Sequence, residues 1–360
     1  MKTEQSLQLT HRLALVENRR VYEQTERVDA WWHGRGVVSA TVPPRFGIDD
    51  TMTAEAAYLV PEETARRRDA EARAWTWHGD AVPHVPTYIG PGSLAIFLGS
   101  RPETVDGSVW FHEANGWSGD PADLRFEESN PWWRRTEALI EAMRDRATDG
   151  AYRIACPDLV ENWDILASLT GATDLLMKMI DEPEWVHAAL AAVDTVYYEV
   201  FQRIYELIAD EDGSMVYGPF LLWGPGRTAK IQCDGSAMFS PSMFEEFVLP
   251  GLTRQTEWLD YSMYHLDGTQ CIPHLDFVLS MPALNAVEWT PQAGKPGGTD
   301  STWYPMYRRI LEAGKSLQVL VDDPSAVPEL LDAIGTDGVY LLGIDVDAAE
   351  LADIVQKVRK

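Results

Sequence analysis

The sequence predicts an α/β chain built as one TIM-type (β/α)8 barrel, with an N-terminal helical extension and a Trp-rich insertion. Its 360 residues lie within the length that a single barrel with insertions reaches. Short β-branched or aromatic runs alternate with longer helical patterns, the signature of parallel strands joined by crossover helices. No repeat, low-complexity tract or Gly/Ser linker divides the chain.

Eight candidate strands follow in order: Val37 to Val42, Val82 to Tyr88, Tyr152 to Cys156, Ala229 to Cys233, Ser262 to Leu266, Asn285 to Trp289, Leu317 to Val321 and Val339 to Gly343. Residues 1–36 form the extension, with Leu7, Leu13, Val21 and Val28 among charges and Trp31-Trp32-His33 at its end; residues 37–360 form the barrel. The insertion lies near 106–135, within an aperiodic stretch from Trp110 to Trp133 expected as a lid or wall. Asp181-Glu-Pro183 opens a long helix whose stripe is Val186, Leu190, Val193, Tyr197, Val200, Ile204 and Leu207. Ser240-Pro241 opens another, Gly314 closes the one beginning near Tyr304, and the run from Ser214 to Trp223 reads as an extra hairpin.

No apolar stretch approaches the roughly 20 residues that cross a bilayer, and no secretory signal follows Met1, so no membrane association and a cytoplasmic location are expected. The cysteines Cys156, Cys233 and Cys271 lack Cys-x-x-Cys spacing, which argues against a disulfide framework or zinc ribbon. Acidic residues exceed basic ones by 56 to 30, a formal charge of −26. That field repels a polyphosphate, so nucleic acid is not an expected partner; its plainest reading is solubility or a salty habitat.

Barrel chemistry comes from C-terminal strand ends. In order these offer Pro43-Pro44-Arg45, Tyr88, Cys156-Pro157-Asp158, Cys233-Asp234, His265-Leu266-Asp267-Gly268, Glu288-Trp289, Asp322-Asp323 and Gly343-Ile344-Asp345. So many carboxylates at one mouth point to a bound cation. His265 and Asp267, two apart on a strand, share a face and suit two ligands of one metal, with Glu288 on the adjoining strand as a third. Zinc or another divalent ion is the expected cofactor. Without metal, His265 would hydrogen-bond Asp267 or Glu288 and carry protons. His265, Asp267, Glu288 and Asp234 are the catalytic candidates. Arg45, Tyr88, Tyr217, Trp223 and Trp289 are the candidate contacts to a small-molecule substrate, and Trp110, Trp117, Trp132 and Trp133 extend an aromatic set suited to a flat or sugar-like ligand. Walker, dinucleotide, nucleophile-elbow and His-Glu-x-x-His motifs are absent.

Two stretches carry a family resemblance: Trp163-Asp-Ile-Leu-Ala-Ser-Leu-Thr-Gly171 with the helix after Asp181, and Phe239-Ser-Pro-Ser-Met-Phe-Glu-Glu-Phe-Val-Leu-Pro250. From about Val37 onward the chain resembles the uroporphyrinogen decarboxylase-like superfamily, which includes methyltransferases serving corrinoid proteins and cobalamin-independent methionine synthases. The decarboxylases themselves carry Arg-Gln-Ala-Gly-Arg near the first strand, whereas this chain has Val-Ser-Ala-Thr-Val-Pro-Pro-Arg45, so the resemblance favours the methyltransferase branch. That branch uses His-x-Cys at the fifth strand end, a sixth-strand carboxylate in some members and a Cys at the eighth. His265 matches, Asp267 replaces the first Cys, Glu288 falls at the carboxylate, and Ile344 or Asp345 stands near the last Cys. A harder ligand set disfavours thiol activation.

The resemblance implies a metal-dependent methyltransferase-like enzyme that exchanges a methyl group with a corrinoid protein. A lyase using His265 and neighbouring carboxylates for proton transfer, and a non-catalytic ligand-binding barrel, are the alternatives. A homodimer is the default expectation for a soluble enzyme.

Overall fold

The computed structural model describes residues 23–43, 60–87, 90, 92–105, 108–112 and 117–360. Arg45, Tyr88 and the first part of the extension lie outside the described residues.

Strands form where β-branched and aromatic residues cluster. They are β1 (Val37–Thr41), β2 (His84–Pro86), β3 (Arg101–Val105), β4 (Ser108–His112), β5 (Arg153–Cys156), β6 (Met215–Tyr217), β7 (Leu222–Gly224), β8 (Thr228–Gln232), β9 (Tyr261–Asp267), β10 (Ala286–Thr290), β11 (Ser316–Val321) and β12 (Val339–Gly343). β8, β9, β10, β11, β12 and β1 pair in that order into a six-stranded parallel sheet. β2, β5 and β6 pair in parallel, and β7 runs antiparallel along β6. β3 and β4 form a separate hairpin. The protein is thus a mixed α/β structure in which strands alternate with helices.

Three expectations change in detail. The second strand shortens to His84–Pro86, since prolines at 83 and 86 donate nothing to a ladder. The extra hairpin exists as β6 and β7, but β6 also pairs with β5 and so extends a sheet. The Trp110–Trp133 stretch is not one long loop: its start belongs to β4 and its end to the helix Pro131–Arg146. Asn130 caps that helix by accepting from the N–H groups of Trp132 at 2.8 Å and Trp133 at 3.3 Å, with Pro131 in the first turn. The Trp133 ring is buried beside Phe97 and Phe126.

The long helix spans Pro183–Ile208 and buries Val186, Leu190, Val193, Tyr197, Val200 and Ile204, with Ile208 rather than Leu207 completing the stripe. Each buried aliphatic side chain there contributes roughly 1.5–3 kcal/mol. Ser240 accepts from the N–H of Met243 to open Pro241–Met243, and Gly314, at φ 76°, follows the helix Tyr304–Glu312. The helix over residues 23–32 carries Trp31 and Trp32 into the core. The Trp31 indole donates to the carbonyls of Leu317 (3.3 Å) and Gly338 (3.1 Å), and that of Trp32 to Trp223 O at 2.8 Å. No helix among the described residues is long and apolar enough to cross a membrane.

Parallel register aligns Gln232, His265, Glu288, Gln318 and Tyr340 side by side across β8 to β12. A polar row therefore crosses one face of the sheet. The turn between β6 and β7 reaches this row through Phe220 and Leu221, two non-glycine residues in the left-handed region at φ 62° and 51°. Gln318 Nε2 donates to Phe220 O at 3.0 Å and the Tyr340 hydroxyl to Leu221 O at 2.9 Å. These bonds offset the strain and tie the smaller sheet to the larger.

Candidate functional site

The site begins with the alternation of β9. Ser262, Tyr264 and Leu266 are buried on one face, while His265 and Asp267 are half-buried on the other. Gly268 turns the chain at φ 77°, and its N–H donates to Thr290 O at 3.0 Å.

Glu288 lies opposite His265 in the register and is fully buried. Its Oε2 stands 2.5 Å from His265 Nδ1, and its Oε1 accepts from the Thr290 hydroxyl at 2.8 Å. Both oxygens are thereby engaged inside the sheet, and His265 Nε2 is left as the ring's second coordinating atom. Burial pulls the His265 pKa down, but the charge and hydrogen bond of Glu288 outweigh it and the net direction is up. Burial likewise raises Glu288 against the pull of His265.

The potential ligand atoms of Asp234, His265 and Asp267 lie within 4.8 Å of one another. Asp234 follows β8, the neighbour of β9. One imidazole and two carboxylates suit a divalent ion of moderate hardness, zinc included. Burial pushes the Cys233 thiol well up and that of Cys271 to about 11, so both rest protonated in the metal-free protein. The groups that the geometry brings close enough to share one ion thus include Asp234, while Glu288 pairs with His265.

No protein-family model and no curated protein matches the chain. Among solved structures it is similar to a methyltransferase from Methanosarcina mazei, at 12% identity over 94% of this chain and 99% of that one, with a TM-score of 0.60. The fold is shared.

Behind Asp234 lies a polar network that sequence reasoning missed. Val160 and Asn162 adopt left-handed φ of 57° and 37°, and the segment carries Asp158, Glu161 and Asp164 against β8. The buried Lys230 ammonium lies 3.0 Å from Asp158 Oδ1, which also accepts from the Tyr217 hydroxyl at 2.8 Å. Lys230 donates to Gln232 Oε1 as well. Gln232 Nε2 donates to Asp234 Oδ2 at 2.8 Å and Asp164 Oδ2 at 3.3 Å. Asp164 accepts from the backbone N–H groups of Asp234 (2.8 Å) and Gly235 (2.9 Å). Glu161 is buried, which pushes its pKa well above the usual carboxylate range. The visible signal was Lys230-Ile-Gln232-Cys-Asp234, polar residues at period two in an otherwise apolar strand.

Of the aromatic candidates, Tyr217 joins this network, whereas Trp223 is buried in β7 under Trp32. Trp289 lies on the face opposite Glu288, buried against Trp303 with ring centroids 4.9 Å apart. Phe220, not singled out by sequence, stands beside the His265 ring at 4.9 Å. Two mouth carboxylates serve the backbone: Asp322 accepts from the Thr299 N–H at 3.3 Å and from its hydroxyl at 2.9 Å, and Asp323 caps the turn Pro324–Ala326. A cleft of about 460 Å³ lies elsewhere, between the helices Pro183–Ile208 and Leu249–Trp258, with Asp194 and Arg254 among its lining residues.

Proposed function

We propose that the chain is a methyltransferase-like enzyme of the uroporphyrinogen decarboxylase-like superfamily, a (β/α)8 barrel acting on a small molecule at its C-terminal strand ends. The convergence of Asp234, His265 and Asp267 there carries the reading. The shared fold with a protein named a methyltransferase supports it, and the pairing of the first strand with the last agrees with a closed barrel.

Zinc or another divalent ion would be held by Asp234, His265 and Asp267, and when bound it would polarise a substrate oxygen as a Lewis acid. The chain's own groups prepare that position. Glu288 accepts at Nδ1 of His265, which fixes the ring's orientation and directs Nε2 outward. Phe220 covers one side of the imidazole. The donor set lacks a thiolate, which favours an oxygen- or nitrogen-bearing acceptor over a thiol. A corrinoid protein would exchange the methyl group, in a cytoplasmic setting.

Metal analysis of protein purified without chelators tests this, alongside methyl exchange with methylcobalamin. Stoichiometric metal, lost in His265→Ala, is the expected result. No metal in the wild type, or undiminished metal in that variant, refutes it.

The His265–Glu288 pair favours one second reading, a lyase that moves a proton at His265 Nε2. Turnover of a carboxylated small molecule without any corrinoid, abolished by His265→Ala, distinguishes it.

A further inference from the structure

We propose that Lys230 and Gln232 are positioning residues that hold the Asp234 carboxylate in the orientation a metal requires. The inference rests on the metal reading of the same site and adds the groups that set its geometry.

The direction of the Gln232 amide is fixed by chemistry. Lysine only donates, and ionised carboxylates only accept. The Gln232 carbonyl must therefore face Lys230, and its NH2 must face Asp234 and Asp164, as observed. Lys230 is in turn fixed by Asp158, which the Tyr217 hydroxyl holds from the other side. The result is a connected network in which Tyr217 and Lys230 donate to Asp158, Lys230 donates to Gln232 and Gln232 donates to Asp234, so that buried groups on β6, β8 and the segment after β5 reach the exposed Asp234. A reversed amide would point its oxygen at Asp234 and turn the carboxylate away.

The side chain of Asp234 is thus held by Gln232 while its backbone N–H is held by Asp164. This division matters because Asp234 is the exposed member of the ligand triad, and a free carboxylate there would rotate between solvent and the ion. Lys230, Gln232 and Asp234 alternate along one strand and its end, so one register sets all three.

The test is zinc affinity of the metal-depleted full chain, measured by competition with a chromophoric chelator. Gln232→Met keeps the side-chain length and removes both polar ends. Gln232→Asn keeps the amide but is shorter by about 1.5 Å, so it cannot span Lys230 and Asp234 together. Both variants are expected to weaken zinc binding by about 10–100-fold, with far-UV circular dichroism close to wild type. Affinity within twofold of wild type in the variant that folds overturns the positioning role alone. Wild-type protein that takes up no zinc, or takes it up equally after His265→Ala, overturns the metal reading and the proposal with it.

Discussion

Replacing Glu288 with Gln isolates what its charge does, because the shape and one acceptor survive. In the wild type, Oε2 meets His265 Nδ1 at 2.5 Å and Oε1 accepts from Thr290. A glutamine can still present its carbonyl to the ring, and the Thr290 hydroxyl can rotate to accept from the new NH2. The loss is the difference between a charge-assisted hydrogen bond, about 1.5–3 kcal/mol, and a neutral one, about 0.5–1.5 kcal/mol. A difference of about 1–1.5 kcal/mol corresponds to roughly tenfold in a binding constant. We therefore expect Glu288→Gln to lower zinc affinity by up to about tenfold and, because the bond already exists without an ion, to cost up to about 1–1.5 kcal/mol of stability as well. Glu288→Ala should instead cost about 3–5 kcal/mol of stability, since it strips a buried partner and leaves a hole. Chelator competition and urea denaturation, run on the same preparations, separate the two effects. A Glu288→Gln protein with wild-type zinc affinity would refute the assignment of Glu288 to the ring's far nitrogen.

Asp194 makes stability depend on pH: burial raises its pKa from 3.8 to about 6 in spite of Arg254 at 2.9 Å. A carboxyl with a raised folded pKa stabilises most below its unfolded value and less as pH rises, so wild type should lose about 2.5 kcal/mol relative to Asp194→Asn between pH 4 and pH 7. Urea titrations across that range check the sign, and a pH-independent difference contradicts it. Gly235→Ala should destabilise by about 1–3 kcal/mol or more, because the added Cβ would stand 2.0 Å from the Trp163 ring; thermal melting reads this, and a wild-type midpoint would show that the ring can move. Tyr340→Phe leaves the buried Leu221 carbonyl without its donor and should cost about 1–3 kcal/mol. An unchanged urea midpoint would mean that water replaces the hydroxyl.

The regular part of the fold was legible because its signals are local and periodic. Apolar spacing marked the helix Pro183–Ile208, and β-branched runs marked β9 to β12 within a residue or two. Trp132 and Trp133 misled because aromatic density was read as a loop, although Asn130-Pro131 announces a helix start. At the site, period-two alternation rightly placed His265 and Asp267 on one face. Sequence placed Glu288 beside His265, as a metal ligand or as its hydrogen-bond partner, and the structure shows the second contact; choosing between them depends on register between residues far apart in the chain. The pairing of Glu288 opposite His265, rather than one step nearer the strand end, sets it behind the ring. The left-handed turns at Val160, Asn162, Phe220 and Leu221 were invisible for another reason. Non-glycine residues give no compositional cue to that conformation, and tertiary hydrogen bonds impose it.

The helix over residues 23–32 has a practical consequence. Its two indoles cap carbonyls at the start of β11, before β12 and in β7, so a single turn of helix touches both sheets. A fragment beginning at Val37 would keep every strand described above, yet open a hydrophobic socket the size of two tryptophans and leave three carbonyls to find water. Fragments for expression or crystallisation should therefore start upstream of this helix, and a protease cut just after it should loosen the sheets long before it disturbs the strand ends where the chemistry is proposed.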